Sequence, residues 1–246
     1  MLVGNADVGF FGSGYKANAV HCGNGNYLTR SGTMGVTSSY VGTMSQWLKF
    51  TSAATDSRII TIAGSNEFWN LLGSGIYYRV GFNSAGFSSQ YFWQSAAAIP
   101  ADSAWHHIAV SWDLNHAANS KLIQVYLDGS PMTVGTIIDT NAAFQADYSV
   151  NSTTSYFEGD NNAQLFGNVA ETYFNAAVKI DLSIPSNLQK FRSAGGHPVF
   201  LGTDGHIPTG TSPIVYLKGK SATRTTNAGT GGNFTLTGSL TDVTPP

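Results

Sequence analysis

Apolar and polar residues alternate most clearly in two runs near the middle of the chain, at residues 105–113 and 122–127. Because alternate residues of a β-strand point to opposite faces, each run predicts a strand that is buried mostly on one face. Asp128-Gly129, which follows the second run, is typical of a turn. We predict an antiparallel hairpin at the centre of a sheet. Its shared apolar face would consist of Ile108, Val110, Trp112, Ile123, Val125 and Leu127.

Shorter stretches of the same alternation occur along the chain and predict an all-β protein. Further strands are predicted within residues 27–28, 44–52, 57–62, 75–82, 90–93, 133–138, 147–157, 169–174, 178–182, 213–219 and 232–240. The run MSQWLKFTS, at 44–52, predicts one face in the core and one nearer solvent. Residues 94–104 are rich in Ala and Ser and are expected to form a loop. Many short strands joined by turns favour a two-sheet antiparallel β-sandwich of the jelly-roll type.

One segment departs from this pattern and predicts a short helix near residues 184–193. Ser183 is expected to cap the helix, Pro185 suits its first turn, and Gly195-Gly196 should end it. No internal repeat and no charged or proline-rich linker divides the chain. We therefore expect a single domain over residues 1–246, with a C-terminal extension, 183–246, packed on it.

The composition agrees with this fold and argues against two classes of partner. Only 11% of the residues are charged and 28 of the 246 are glycine, as expected when tight turns join short strands. The formal net charge of -2 provides no basic field for nucleic acid or for an anionic membrane. Cys22 is the only cysteine, so no internal disulfide can form. The N-terminus lacks the basic start and apolar run of a signal peptide, so we expect synthesis in the cytoplasm.

The two central strands also resemble a known family. WHHIAVSWD followed by YLDG is similar to the concanavalin A-like, laminin-G-like lectin and glucanase superfamily, in which a strand W-x-H-[IV]-A precedes a strand ending Y-[VL]-D-G. The C-terminal strings PTGTSPIVYL and GGNFTLTG resemble, more narrowly, members found in tailed bacteriophages and prophages. The resemblance implies a lectin-like sandwich carried on a virion or encoded beside virion genes. It implies no single ligand, because the fold serves glycan binders, protein binders, hydrolases and structural modules.

The acidic residues are not arranged as in a glucanase of this fold. A glycosidase generally needs two carboxylates flanking the scissile bond, and sandwich glucanases carry them at alternating positions of one strand. Glu67, Glu158 and Glu171 belong to no such string. Glu158 and Asp160 are the one acidic pair two positions apart that includes a glutamate, and they lie in the turn-rich EGDNNA. No catalytic residue is therefore predicted.

No metal ion or other cofactor is predicted. His106 and His107 are adjacent in a strand and should point to opposite faces, so they cannot hold one ion together. Asp160-Asn161-Asn162 contains a single carboxylate and favours a turn, although laminin-G-like folds can hold calcium through such loops.

Sugar binding requires an exposed aromatic face beside polar groups. The candidates are Trp93, next to the Ala-rich loop, and Tyr156, with Asp160 and Asn162 in the turn that follows it. The alternative for both rings is packing in the core or at its rim.

These observations lead to one main hypothesis and two alternatives. The main hypothesis is a non-enzymatic, lectin-like structural protein of a tailed-phage virion, acting as capsid decoration, head fibre or tail-fibre adhesin. Its expected partners are major capsid or tail proteins and host surface polysaccharide, and it should be a homo-oligomer or occur in many copies on a symmetric particle. The alternatives are a depolymerase that cleaves host glycans through Glu158 or Asp160, and a calcium-dependent cellular laminin-G-like adhesion module.

Overall fold

The computed structural model describes residues 14–23, 25–35, 38–50, 57–62, 66–73, 77–84, 89–146, 148, 154–159 and 167–246. In chain order the strands are β1 (Ala19–Cys22), β2 (Tyr27–Ser31), β3 (Val41–Phe50), β4 (Ser57–Ile62), β5 (Asn66–Gly73), β6 (Tyr77–Ser84), β7 (Ser89–Ala98), β8 (His106–Asp113), β9 (Leu122–Leu127), β10 (Ser130–Pro131), β11 (Val134–Asp139), β12 (Thr154–Phe157), β13 (Gly167–Asn175), β14 (Val215–Leu217), β15 (Thr235–Thr237) and β16 (Thr241–Val243). A single-turn α-helix, α1, spans Pro185–Leu188, and a 3-10 helix spans Ser221–Thr223. Neither of these described helices has the length or apolar character to cross a membrane.

The strands form two antiparallel sheets that pack face to face. Sheet A has the order β10-β9-β8-β3-β13-β1-β16, and β14 also pairs with β13. Sheet B has the order β11-β7-β6-β5-β4-β12-β2-β15. Between them lies the main apolar core, in which the ring of Trp112 on β8 is 5.8 Å from that of Phe82 on β6. The predicted jelly-roll β-sandwich is confirmed.

The hairpin formed by β8 and β9 has the predicted register but not the predicted position. Ile108 lies opposite Leu127, Val110 opposite Val125, and Trp112 opposite Ile123, so the six expected residues share one face. The outer neighbour of β9 is the two-residue strand β10, and the middle of sheet A is occupied by β3 and β13. The central-hairpin prediction is therefore wrong. Local alternation fixes which faces match, but it carries no information on which distant strand comes next in the sheet.

The chain after β13 folds back over the outer face of sheet A. It forms a second apolar cluster with Ala109 of β8 and Tyr173 of β13, and the ring of Phe191 lies 5.1 Å from that of Tyr173. Other members of this cluster are Ile180, Leu182, Leu188, Leu201 and Tyr216. β3 and β8 are consequently buried on both faces, whereas the sequence predicted a more exposed outer face for each.

Several local predictions are corrected by the structure. Residues 178–182 form no strand, although Ile180 and Leu182 are buried, because they fill the second cluster from an irregular segment. The helix is a single turn whose N-cap is Ile184, with no side-chain cap bond. Ser183 instead donates its hydroxyl to Asp181 at 2.6 Å. β7 continues to Ala98, so the loop expected at 94–104 is shorter.

Candidate functional site

A surface pocket of about 610 Å³ lies where the two ends of the described chain meet. Its lining comes from residues 14–16 before β1, from Gln189 and most of the turn 193–198 after α1, and from Pro246. The turn is closed by three hydrogen bonds. The Ser193 N–H donates to the His197 carbonyl at 2.8 Å, the Gly196 N–H donates to the Ser193 carbonyl at 2.9 Å, and the His197 N–H donates to the Ser193 hydroxyl at 3.0 Å. We call this site the Tyr15 pocket, after the aromatic ring in its wall.

The side chain of Tyr15 is held in place by a buried carboxylate. Its hydroxyl donates to Oε1 of Glu171 at 2.6 Å, and the Tyr216 hydroxyl donates to Oε2 at 2.6 Å. Glu171 lies in β13 at φ 49°, where the pairing with β3 shifts register, and this bulge turns its side chain toward both tyrosines. Burial raises the pKa of Glu171, and the two hydroxyl donors partly oppose that rise. Both carboxylate oxygens therefore have donors inside the protein.

The rim of the Tyr15 pocket is polar and carries positive charge. Lys16, Gln189 and His197 are exposed, and Ser193 is partly exposed. No Asp or Glu lines the pocket among the residues that the structure describes. The rest of the described lining is largely apolar, and an apolar pocket with an aromatic ring and a few polar groups is the arrangement expected of a small-molecule site.

Behind this region lies a second buried carboxylate, Glu158, which is paired with Arg224. Both side chains are 0% exposed. The guanidinium Nε of Arg224 lies 3.0 and 3.1 Å from the two oxygens of Glu158, and the hydroxyl of Thr172 donates to Oε1 at 3.0 Å. Gln46 completes the network by donating to the Thr172 hydroxyl at 2.8 Å. This carboxylate has no oxygen exposed to solvent, and it connects neighbouring segments of the chain inside the protein.

The motif histidines point to opposite faces, as predicted. His106 lies between two carboxylates, with Nδ1 2.6 Å from Asp128 and Nε2 3.1 Å from Asp102. His107 is fully buried on the outer face, where Nε2 lies 2.8 Å from the hydroxyl of Ser45. Burial lowers the pKa of His107 to about 3, with the Arg192 charge acting in the same direction.

This geometry predicts a pH-dependent contribution of His106 to stability. The hydrogen bond with Asp128 raises the pKa of His106, against partial burial. A histidine whose pKa is raised on folding contributes its full stabilisation at pH values below its pKa in the unfolded state, about 6.5. This contribution is lost as the pH rises through the pKa of the folded state. In urea unfolding, the loss of stability caused by His106→Gln should therefore be larger at pH 5.5 than at pH 8.5. The exposed His197→Gln is the control, and equal losses for His106→Gln at both pH values would contradict the prediction.

Comparison with known proteins places this architecture in a family. A profile described as the concanavalin A-like lectin/glucanases superfamily, of laminin G type, matches residues 22–181. The chain belongs to this superfamily. The resemblance seen in the two central strands is thereby confirmed. A search of curated proteins gave no match.

Solved structures of this superfamily's fold are similar over nearly the whole chain. A heptameric SAP-like pentraxin from Limulus polyphemus matches with a TM-score of 0.56 at 12% identity, covering 94% of this chain and 96% of the pentraxin. A Bacteroides ovatus protein provisionally described as carbohydrate-binding matches with a TM-score of 0.61 at 15% identity. That match covers 94% of this chain and 60% of the longer Bacteroides protein. At such identities the likeness shows the fold alone.

The superfamily match and the Tyr15 pocket occupy different parts of the sequence. Every described residue that lines the pocket lies outside residues 22–181, in the segments before and after the matched region. The matched region supplies Glu171, which accepts the hydrogen bond from the Tyr15 hydroxyl. The pocket therefore lies in segments that the family profile does not match, next to a strand that it does match.

The predicted sugar-binding residues are not brought to this pocket. Trp93 is 5% exposed and belongs to the main core, and it also lines a separate cavity of about 350 Å³ between β7, β9 and β11. Tyr156 lies in β12, opposite Thr29 and Thr61, and its side chain is outside the described part of the structure. Asp160 and Asn162 also lie outside the described residues. Sugar binding at these positions stays a prediction.

The sequence analysis did not predict the Tyr15 pocket. The one feature of the sequence that points to it is the glycine pair Gly195-Gly196. The Gly195-Gly196 pair was read only as a helix stop, yet the φ of +81° at Gly196 is what closes the lining turn. Among the described residues, no group of three His, Cys, Asp or Glu side chains is placed to hold a metal ion. The structure therefore identifies no metal centre in its described part.

Proposed function

We propose that the chain is a non-enzymatic, lectin-like structural protein of a tailed-phage virion that binds saccharide in the Tyr15 pocket. The observation that carries the binding role is an open pocket with a partly exposed aromatic ring and a polar rim, on a sandwich of the lectin type. The virion role rests on the resemblance of PTGTSPIVYL and GGNFTLTG to phage proteins. Capsid or tail proteins would be the partners that hold it on the particle, in many copies.

The buried carboxylates support binding rather than hydrolysis. Glu158, one of the two carboxylates named for the depolymerase alternative, is enclosed by Arg224 and Thr172 and does not line the Tyr15 pocket. Glu171 lies closer to the pocket, but Tyr15 and Tyr216 occupy both of its oxygens. A glycosidase needs one carboxyl group to donate a proton to the glycosidic oxygen and a second to act on the sugar. Neither glutamate is free to do so in this arrangement.

The binding role predicts a specific effect of Tyr15 substitutions. Tyr15→Ala removes the aromatic face and should weaken saccharide binding about tenfold, equivalent to about 1.4 kcal/mol. Tyr15→Phe keeps the ring and should bind within about twofold of the unchanged protein. Calorimetric titration, with ligands first selected on a glycan array, provides the measurement.

Leu122→Ala is the control for this experiment because Leu122 is exposed and lines the separate cavity beside Trp93. A loss of binding in that variant, with Tyr15→Ala unaffected, would move the site to the Trp93 cavity and refute the assignment to the Tyr15 pocket. Release of reducing ends from the ligand would favour the depolymerase alternative, and loss of binding in a chelator would favour the calcium-dependent module.

The virion role has a separate test. Mass spectra of purified intact particles should contain this chain in a copy number that matches a symmetric site on the head or tail. Its absence from such particles would refute the virion role while leaving the saccharide-binding role open.

A further inference from the structure

We propose that the Tyr15 pocket selects acidic saccharides, with Lys16 pairing with the carboxylate of a uronic or related acidic sugar. The inference rests on the proposed saccharide-binding function and adds the chemical class of the ligand.

The first observation is an unpaired cation. Lys16 is exposed at the pocket, and no carboxylate lies within ion-pair distance of its ammonium among the residues that the structure describes. Since no described Asp or Glu lines the pocket, an acidic ligand would meet no repelling carboxylate on the described part of its walls. One unpaired ammonium matches the single charge of a sugar carboxylate.

The second observation concerns the turn 193–198. Its backbone N–H groups at Ala194 and Gly195 donate no hydrogen bond within the described chain, and both residues are exposed and line the pocket. Successive free N–H groups in a turn of this kind are donors suited to an anion. They would bind the carboxylate oxygens that Lys16 does not reach.

A further cation, Arg192, lies beside this turn. A Cβ placed on Gly196 would be 2.9 Å from Nη2 of Arg192, so the guanidinium passes directly beside the turn. Nε of Arg192 is buried and has no hydrogen-bond partner among the described residues. This guanidinium adds positive charge behind the pocket wall, and part of that charge is offset by the carboxylate of Asp128, whose pKa the Arg192 charge helps to lower.

The negative charge of Glu171, the carboxylate that holds Tyr15, is partly neutralised inside the protein. The Glu171 carboxylate behind Tyr15 accepts two hydroxyl hydrogen bonds, and the charges of Arg224 and Lys218 also act on it. The Glu158 carboxylate is directly paired with Arg224. A ligand in the Tyr15 pocket therefore meets mainly the field of Lys16 and its neighbours.

The test compares each acidic oligosaccharide with its neutral counterpart. The probes are trigalacturonate, a glucuronate-containing disaccharide and sialyllactose, each alongside the same sugar with its carboxyl group reduced to an alcohol. Titration calorimetry should show at least one acidic probe binding about tenfold more tightly than its reduced form. Because the pairing is ionic and exposed, this preference should shrink when the salt concentration is raised from 20 to 500 mM, since the Debye length then falls from roughly 20 Å to roughly 4 Å.

Lys16→Gln should reduce the affinity for the acidic probe to about that of the reduced form and leave the reduced form unchanged. Lys220→Gln removes the same charge from another exposed lysine and is the matched control. Circular dichroism confirms that each variant is folded.

Two outcomes would overturn the inference while sparing the proposed function. The first is equal binding of the acidic and reduced forms, and the second is binding of neutral glycans alone, each with a loss in Tyr15→Ala. If no glycan on the array or among the probes binds the unchanged protein, the proposed saccharide-binding function itself fails.

Discussion

Replacing Arg224 by methionine should lower the free energy of unfolding by about 3 to 5 kcal/mol. The substitution leaves the Glu158 carboxylate 0% exposed with no counterion, and only the hydroxyl of Thr172 remains to donate to it in the network described above. An uncompensated buried charge is among the most costly single defects in a protein interior. Urea unfolding at pH 7, followed by circular dichroism, provides the measurement.

The double variant Glu158→Gln/Arg224→Met tests the cause of this loss. Because the amide carries no charge, the double variant should recover part of the stability lost in Arg224→Met alone. Glutamine also keeps the length of the side chain at a position whose φ is +60°. A double variant as unstable as the sum of the two single variants would mean that the ion pair contributes no coupling, which would contradict the prediction.

The position of this ion pair explains why its loss should be felt throughout the molecule. Glu158 follows directly after β12 in sheet B, while Arg224 belongs to the chain segment that covers sheet A. Thr172 of β13 and Gln46 of β3 join the same network from the middle of sheet A. One buried cluster thus connects both sheets and the C-terminal segment.

The parts of the fold that depend on local alternation were predictable from the sequence. The register of the β8 and β9 hairpin and the exact bounds of β4 follow from residues that are close in the chain. The order of strands in sheet A does not, because β3 pairs with β8 and β13, which both lie far from it in the sequence. The second face of β8 was also misjudged, since His107 and Ser111 are polar and yet buried under the C-terminal segment.

The candidate site could not be predicted because it depends on contacts between distant residues. Tyr15 and Glu171 are separated by 156 positions, and neither has a neighbouring pattern that indicates the other. The polar side chains at the rim, such as Lys16 and His197, look like ordinary surface residues until the two ends of the described chain are brought together. The hairpin motif, by contrast, predicted the family correctly but contributes no residue to the pocket.

The second large effect is expected from Gly42→Ala, which adds one methyl group to the core. Gly42 of β3 lies directly opposite Trp112 of β8, and a Cβ on it would be 2.1 Å from the indole ring. The indole cannot move away, because it is 0% exposed and packs 5.8 Å from Phe82 and 5.7 Å from Phe174 between ring centroids. We expect a loss of about 3 kcal/mol, at the upper end of the usual cost of overpacking.

A smaller ring at position 112 tests this explanation. Trp112→Phe alone should be destabilising because it leaves a cavity. In that background Gly42→Ala should cost less than about 1 kcal/mol, since the added methyl group then occupies part of the vacated space. Urea unfolding of the four proteins gives the coupling directly. If the two substitutions are additive, the close approach of the indole does not explain the glycine at position 42. The backbone conformation at that position would then be the reason for it.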